Sequence, residues 1–154
     1  MTLTLSSPAF AEGETIPLKH TRDGENLAPA LRWTGAPDKV KSFVLIVEDP
    51  DAPSGTFRHF GVANIAAGAD RLPQSIDTAP EGASLKFAKN DFGNARYDGP
   101  EPPRGHGVHH YHFRLAALKV PNISLPADAG VERLWQEARK HLIEEAELVG
   151  VYER

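Results

Sequence analysis

The chain has 154 residues, 40% of them hydrophobic and 25% charged, with 17 basic against 21 acidic side chains and a formal charge of −4. That size and mixture exclude a disordered chain and lead us to expect one compact domain over residues 1–154. No apolar run approaches ~18 residues, which excludes a membrane-spanning helix and stable membrane insertion, and the acidic balance supplies no global positive field for nucleic acid.

The absence of cysteine removes disulfides, thiolate metal sites and cysteine nucleophiles together. The first residues, Met1 to Pro8, have neither a basic start nor an apolar run of ~7 to 15 residues. No secretory signal is read from them, and a soluble, cytoplasmic protein is expected.

Thirteen prolines and 13 glycines are spread along the chain rather than gathered in a linker, a punctuation that favours short strands joined by turns. Residues 1–5 and 31–34 are weak strand candidates. The clearest strand is Ser42 to Asp49, almost wholly apolar and β-branched as in a strand covered on both faces, and Pro50 stops it because it has no N–H for the ladder. A second strand is expected over Arg58 to Ile65, a weak one over residues 85–88, and a third strong one over His109 to Leu118, with Pro121 as its stop. From Val131 to Val149, apolar residues at Val131, Leu134, Trp135, Ala138, Leu142, Ile143 and Ala146 recur at three- and four-residue steps. This spacing predicts a single amphipathic helix of about 18 residues, starting at Asp128 or Gly130 and ended by Gly150.

Unusual residues gather at two strand ends. One cluster is Asp49-Pro50-Asp51-Ala52-Pro53-Ser54-Gly55, with His59 just after it. Its prolines stiffen the loop and set the direction of two carboxylates, although Asp49 and Asp51 also suit a simple Asx-type turn. The other runs from Gly99 through Pro102, Pro103, Arg104, Gly105, His106 and Gly107 to His109-His110-Tyr111. Strand alternation puts His109, Tyr111, Phe113, Leu115 and Ala117 on one face and His110, His112 and Arg114 on the other. An imidazole and a phenol thus stand together at the core's rim, able to donate to an oxyanion or to serve as satisfied core residues. Of the histidines, only His106 and His109 can converge with a carboxylate such as Asp49, so no metal is expected. The chain has no Gly-x-Ser-x-Gly elbow, phosphate loop or dinucleotide fingerprint, and no cofactor is implied.

The two clusters together resemble the phosphatidylethanolamine-binding protein family, in its bacterial Raf-kinase-inhibitor-like branch. The resemblance is supported by Asn26-Leu27-Ala28-Pro29-Ala30-Leu31-Arg32-Trp33, by Asn90-Asp91-Phe92-Gly93 and by Ala146-Glu147-Leu148-Val149-Gly150-Val151-Tyr152, so it covers nearly the whole chain. It implies a mainly β fold, a large antiparallel sheet packed on a smaller one with a peripheral C-terminal helix. It also implies an anion pocket lined by Asp49, His59, Pro102, Pro103, His109 and Tyr111, with Gly105 and Gly107 shaping its wall. The chain departs from the family at His110, where many members have arginine, and at Phe57-Arg58, where an aromatic pair is common. Both departures bear on the pocket rim.

The function expected is the binding of phosphate or a phosphorylated headgroup without chemistry, with Asp49 favouring the charged forms of both His59 and His109. Such binding suits a regulator or inhibitor of a kinase or another enzyme, and a homodimer is an open alternative. The competing reading is a hydrolase, with Asp49 and His59 as base and orienter and His109 and Tyr111 as oxyanion donors.

Overall fold

The computed structural model describes residues 2–154. Two antiparallel sheets form it. The smaller holds β1 (Thr4–Ser6), β2 (Leu31–Thr34) and β5 (Arg71–Leu72) in the order β1-β2-β5. The larger has the order β6-β4-β3-β7-β8, built from β3 (Ser42–Asp49), β4 (Phe57–Ala66), β6 (Lys86–Phe87), β7 (His109–Leu118) and β8 (Leu142–Tyr152). The single α-helix among the described residues, α1, spans Val131–Arg139. The mainly β architecture of a large sheet on a small one is therefore as expected. The part of the 1–5 strand expectation that falls on Met1 lies outside the described residues.

β3 is central because its sequence is apolar on both sides, and both sides are covered. Phe43, Leu45 and Val47 face the small sheet in a core that includes Leu31, Trp33 and Phe113. Trp33 packs on Phe43 with ring centroids 5.3 Å apart, while its indole N–H donates to the Ala69 carbonyl at 2.9 Å. Val44 and Ile46 face the other way, into a second core closed by Val131, Leu134 and Ala138 of α1. Gly61 lets the helix come this close: a Cβ there would lie 3.0 Å from Val131 Cγ2 and 3.1 Å from Leu134 Cδ2.

The helix expected over residues 131–149 is half helix and half strand. α1 stops at Arg139, and residues 142–152 instead form β8, paired with β7 from Leu118↔Leu142 to His109↔Tyr152. The positions that suggested one helix, Leu134, Ala138, Leu142 and Ala146, are four apart, a step that returns to one face in a strand as well as in a helix. In β8 the alternation is of period two: Ala146, Leu148 and Gly150 are buried, while Glu145 and Glu147 are exposed. Gly150 is thus no helix stop. A Cβ on it would lie 2.6 Å from Ile16 Cγ1 and 2.7 Å from Phe10 Cε2, so it admits the N-terminal segment against the sheet.

The order β4-β3-β7 also fixes where a site can form. In antiparallel neighbours the end of β3 lies beside the beginnings of β4 and β7, which brings Asp49, His59 and His109 to one end of the large sheet. The β3–β4 register shifts between Val47↔Phe60 and Glu48↔Arg58, leaving His59 as the extra residue of a bulge.

Candidate functional site

At that end of the sheet lies a cavity of about 190 Å³, lined by Asp49, His59, Pro102, Pro103, His109 and Tyr111 together with Ala52, Pro53, Phe57, Phe92 and Glu101. The first six were the sequence candidates, and the fold brings them together. Gly105 and Gly107 are not in the lining. Their φ angles of 75° and 90° instead turn the loop so that His106 comes back over His109. A larger groove of about 370 Å³ beside β5 is bordered by exposed Arg71 and Glu81 and holds no buried ionisable group. Chemistry therefore converges on the smaller cavity.

Its centre is a buried pair. His109 Nδ1 lies 2.5 Å from Asp49 Oδ2, and the two residues are only 1% and 3% exposed. An ionised carboxylate only accepts, so Nδ1 is the donor and the other ring nitrogen is left for other partners. The second carboxylate oxygen accepts from the Asp51 N–H at 2.8 Å, so the Asx turn and the imidazole pairing exist together. Asp51 in turn accepts from the His110 backbone N–H at 2.9 Å and faces its Nδ1 at 2.8 Å. The side-chain bond to His110 is the main reason the Asp51 carboxyl sits below the usual carboxylate range. His110 is thereby held away from the cavity, as strand alternation indicates, and Arg58 likewise reaches Glu48 and Glu132 instead.

His106 Nδ1 is 2.6 Å from His109 Nε2, which makes Asp49, His109 and His106 a linear chain rather than ligands around one centre. Both nitrogens of His109 are thus engaged by protein groups.

His59 differs from the expectation. Its Nδ1 donates to the Asp98 carbonyl at 2.8 Å rather than to Asp49, and its ring is packed by Phe57 and Tyr111 at centroid distances of 4.9 and 5.3 Å. Burial pushes its pKa below 6.5, outweighing the Asp98 bond and the charge of Asp49, so His59 is neutral near pH 7. Asp49 does not hold both imidazoles in their charged forms, and it pairs with His109, not His59.

The Asp98 carbonyl is itself fixed from behind. The Asp98 carboxylate is fully buried and accepts from the side-chain amides of Asn26, Asn90 and Asn94 at 2.8 to 2.9 Å. Burial opposes its ionisation, but those amides and Arg96 outweigh it and lower its pKa. Asn26 and Asn90 belong to two of the three segments that support the family resemblance. Tyr111 is 1% exposed, and burial beside Asp49 raises its pKa, so the phenol stays a hydrogen-bond donor.

Five lining residues were not among the sequence candidates for the lining, although Phe57 was placed at the rim. Ala52 and Pro53 sit in the first cluster and Glu101 in the second, but nothing in their spacing told lining from loop. Phe57 pairs with Asp49 and stands two residues before His59, so strand alternation puts it on their side, and Phe92 arrives from a separate loop and packs on Phe57 with centroids 4.8 Å apart. Glu101 and Arg22 form a rim pair at 3.5 Å, with Arg22 stacked 4.1 Å over Phe92.

Comparison with known proteins bears on the fold and the family. A UPF0098 protein of Aquifex aeolicus is 40% identical over 148 residues, covering 96% of this chain and 86% of that one. A UPF0098 protein of Pyrococcus horikoshii is 43% identical over 157 residues, covering 100% and 78%. The crystal structure of Escherichia coli YbcL, described as a new member of the mammalian PEBP family, superposes with a TM-score of 0.94 at 31% identity, covering 100% of this chain and 99% of that one. The family model described as "Phosphatidylethanolamine-binding protein" matches residues 6–153, and the chain belongs to that family.

Proposed function

We propose that the cavity binds a small oxyanion, phosphate or a phosphorylated group, and that the protein acts by binding, as a regulator, rather than by turnover. The observation that carries this reading is the buried His109–Asp49 pair opening onto a cavity beside the protonated Tyr111 hydroxyl. An oxyanion that displaces His106 from His109 Nε2 would meet that ring and the Tyr111 side chain in the lining of one cavity, with the Asp49 carboxylate bonded to Nδ1 behind them. A partner protein bearing a phosphorylated side chain would present the same group to the same side chains.

The hydrolase alternative loses its proposed pairing, because Asp49 faces His109 and His59 faces a backbone carbonyl. No serine or threonine is in the lining, and the one hydroxyl there, Tyr111, is held protonated.

Titration calorimetry with inorganic phosphate on the wild type and on His109→Ala tests the reading. Saturable binding by the wild type, weakened about tenfold or more in the variant, is expected from loss of a charge-assisted donor. Equal binding by both proteins contradicts it.

A further inference from the structure

The polar side chains among the lining residues are few. Asp49 and Glu101 contribute carboxylates, and Tyr111 contributes the one hydroxyl. His109 Nε2 is covered by His106 at 2.6 Å. The remaining polar side chain in the lining is His59. The Asp98 carbonyl can only accept, so the ring's one proton in the neutral form sits on Nδ1 and Nε2 carries a lone pair. Among the described residues Nε2 has no protein hydrogen-bond partner and is not sealed inside the protein, so it opens to the cavity that the ring lines. The tautomer is enforced from behind: Asn26 bonds the Asp98 carboxylate at 2.9 Å and accepts from the Gly99 N–H at 2.7 Å, holding the peptide that presents the carbonyl.

A fully ionised oxyanion has no proton to offer such a lone pair and leaves it desolvated and unpaired. A phosphoryl group that keeps an O–H satisfies it. Recognition by a buried acceptor discriminates strongly against analogues lacking the matching donor.

Resting on the anion-binding reading above, we infer that His59 is a specificity-determining residue that selects oxyacids bearing their own O–H, inorganic phosphate and phosphomonoester monoanions, over sulfate and phosphodiesters. The familiar phosphodiester linkage of a phospholipid headgroup is then a poor ligand for this chain. Free phosphate and a monoester on a larger molecule share the required chemistry.

The test is calorimetry near neutral pH with four probes: inorganic phosphate, methyl phosphate, dimethyl phosphate and sulfate. Sulfate reproduces the shape of phosphate without its proton, and dimethyl phosphate reproduces the single charge without it. Phosphate is expected to bind at least about tenfold more tightly than either. Methyl phosphate is expected to bind progressively better below its second pKa of about 6, separating a monoester from the free ion. His59→Gln, which can turn an N–H toward the ligand, is expected to bring the phosphate-to-sulfate ratio toward unity, a change that a merely structural role for His59 does not produce. Equal binding of phosphate and sulfate by the wild type overturns the inference while leaving the anion site intact. Binding of none of the four overturns both.

Discussion

Asp49 and His109 show how a single pair joins stability to binding. Each is almost completely buried, and each satisfies the other, so neutralising one leaves a polar group without its partner. Asp49→Asn is expected to lower unfolding free energy by about 1–3 kcal/mol, read from urea denaturation, and to weaken phosphate binding in parallel. A variant that keeps both properties would show that the pair is incidental. The neutral histidines give a second outcome at this scale. Burial is the leading cause that lowers the pKa of both His20 and His59 from 6.5. Just below that value the unfolded chain binds more protons than the folded one, so stability rises with pH there. The stability these residues retain above 6.5 is therefore lost as pH falls through 6.5 toward their depressed folded values. A urea midpoint that declines between about pH 7 and about pH 5 is expected; a midpoint constant over that window contradicts their burial as neutral rings. At the residue level, strand parity put His109 and Tyr111 on one side with Asp49 within reach, and the family resemblance supplied the lining as a set. The protonation of His59 was not legible in the sequence, since the carbonyl that fixes it belongs to Asp98, 39 positions away.

Among the elements, β3 and β7 were readable to their end residues because each has a strong apolar pattern with a proline beyond it. β8 was not. Its sequence, Leu142-Ile143-Glu144-Glu145-Ala146-Glu147-Leu148, contains good helix formers, and its four-residue apolar step is common to both periods. Only pairing with β7 decides between them, and that partner is remote in sequence. Gly150 gives this assignment a test. As a helix stop it would accept alanine at modest cost, whereas in β8 a methyl group meets Ile16 and Phe10 inside contact distance. Gly150→Ala is expected to destabilise by about 1–3 kcal/mol through overpacking, measured by thermal or urea unfolding. An unchanged midpoint would argue that the N-terminal segment does not rest on this strand.

Over the whole molecule, the large sheet is the shared wall of two cores, one against the small sheet and one under α1. Because both cores are built on β3, we expect residues 1–154 to unfold as one domain, with coincident transitions by tryptophan fluorescence and far-ultraviolet circular dichroism. Trp33 lies in one core and Trp135 packs against the other, so separate transitions would reveal two independent units. The antiparallel order that builds both cores also delivers the ends of β3, β4 and β7 to one rim, which is why two clusters far apart in sequence form one cavity. Nuclear magnetic resonance of the histidine side chains during titration with inorganic phosphate tests that convergence most directly. Saturable shifts of the His59 and His109 ring signals, with His141 at the far end of α1 unmoved, are expected; no saturable shift, or shifts confined to histidines outside the cavity, would contradict an oxyanion site at this rim.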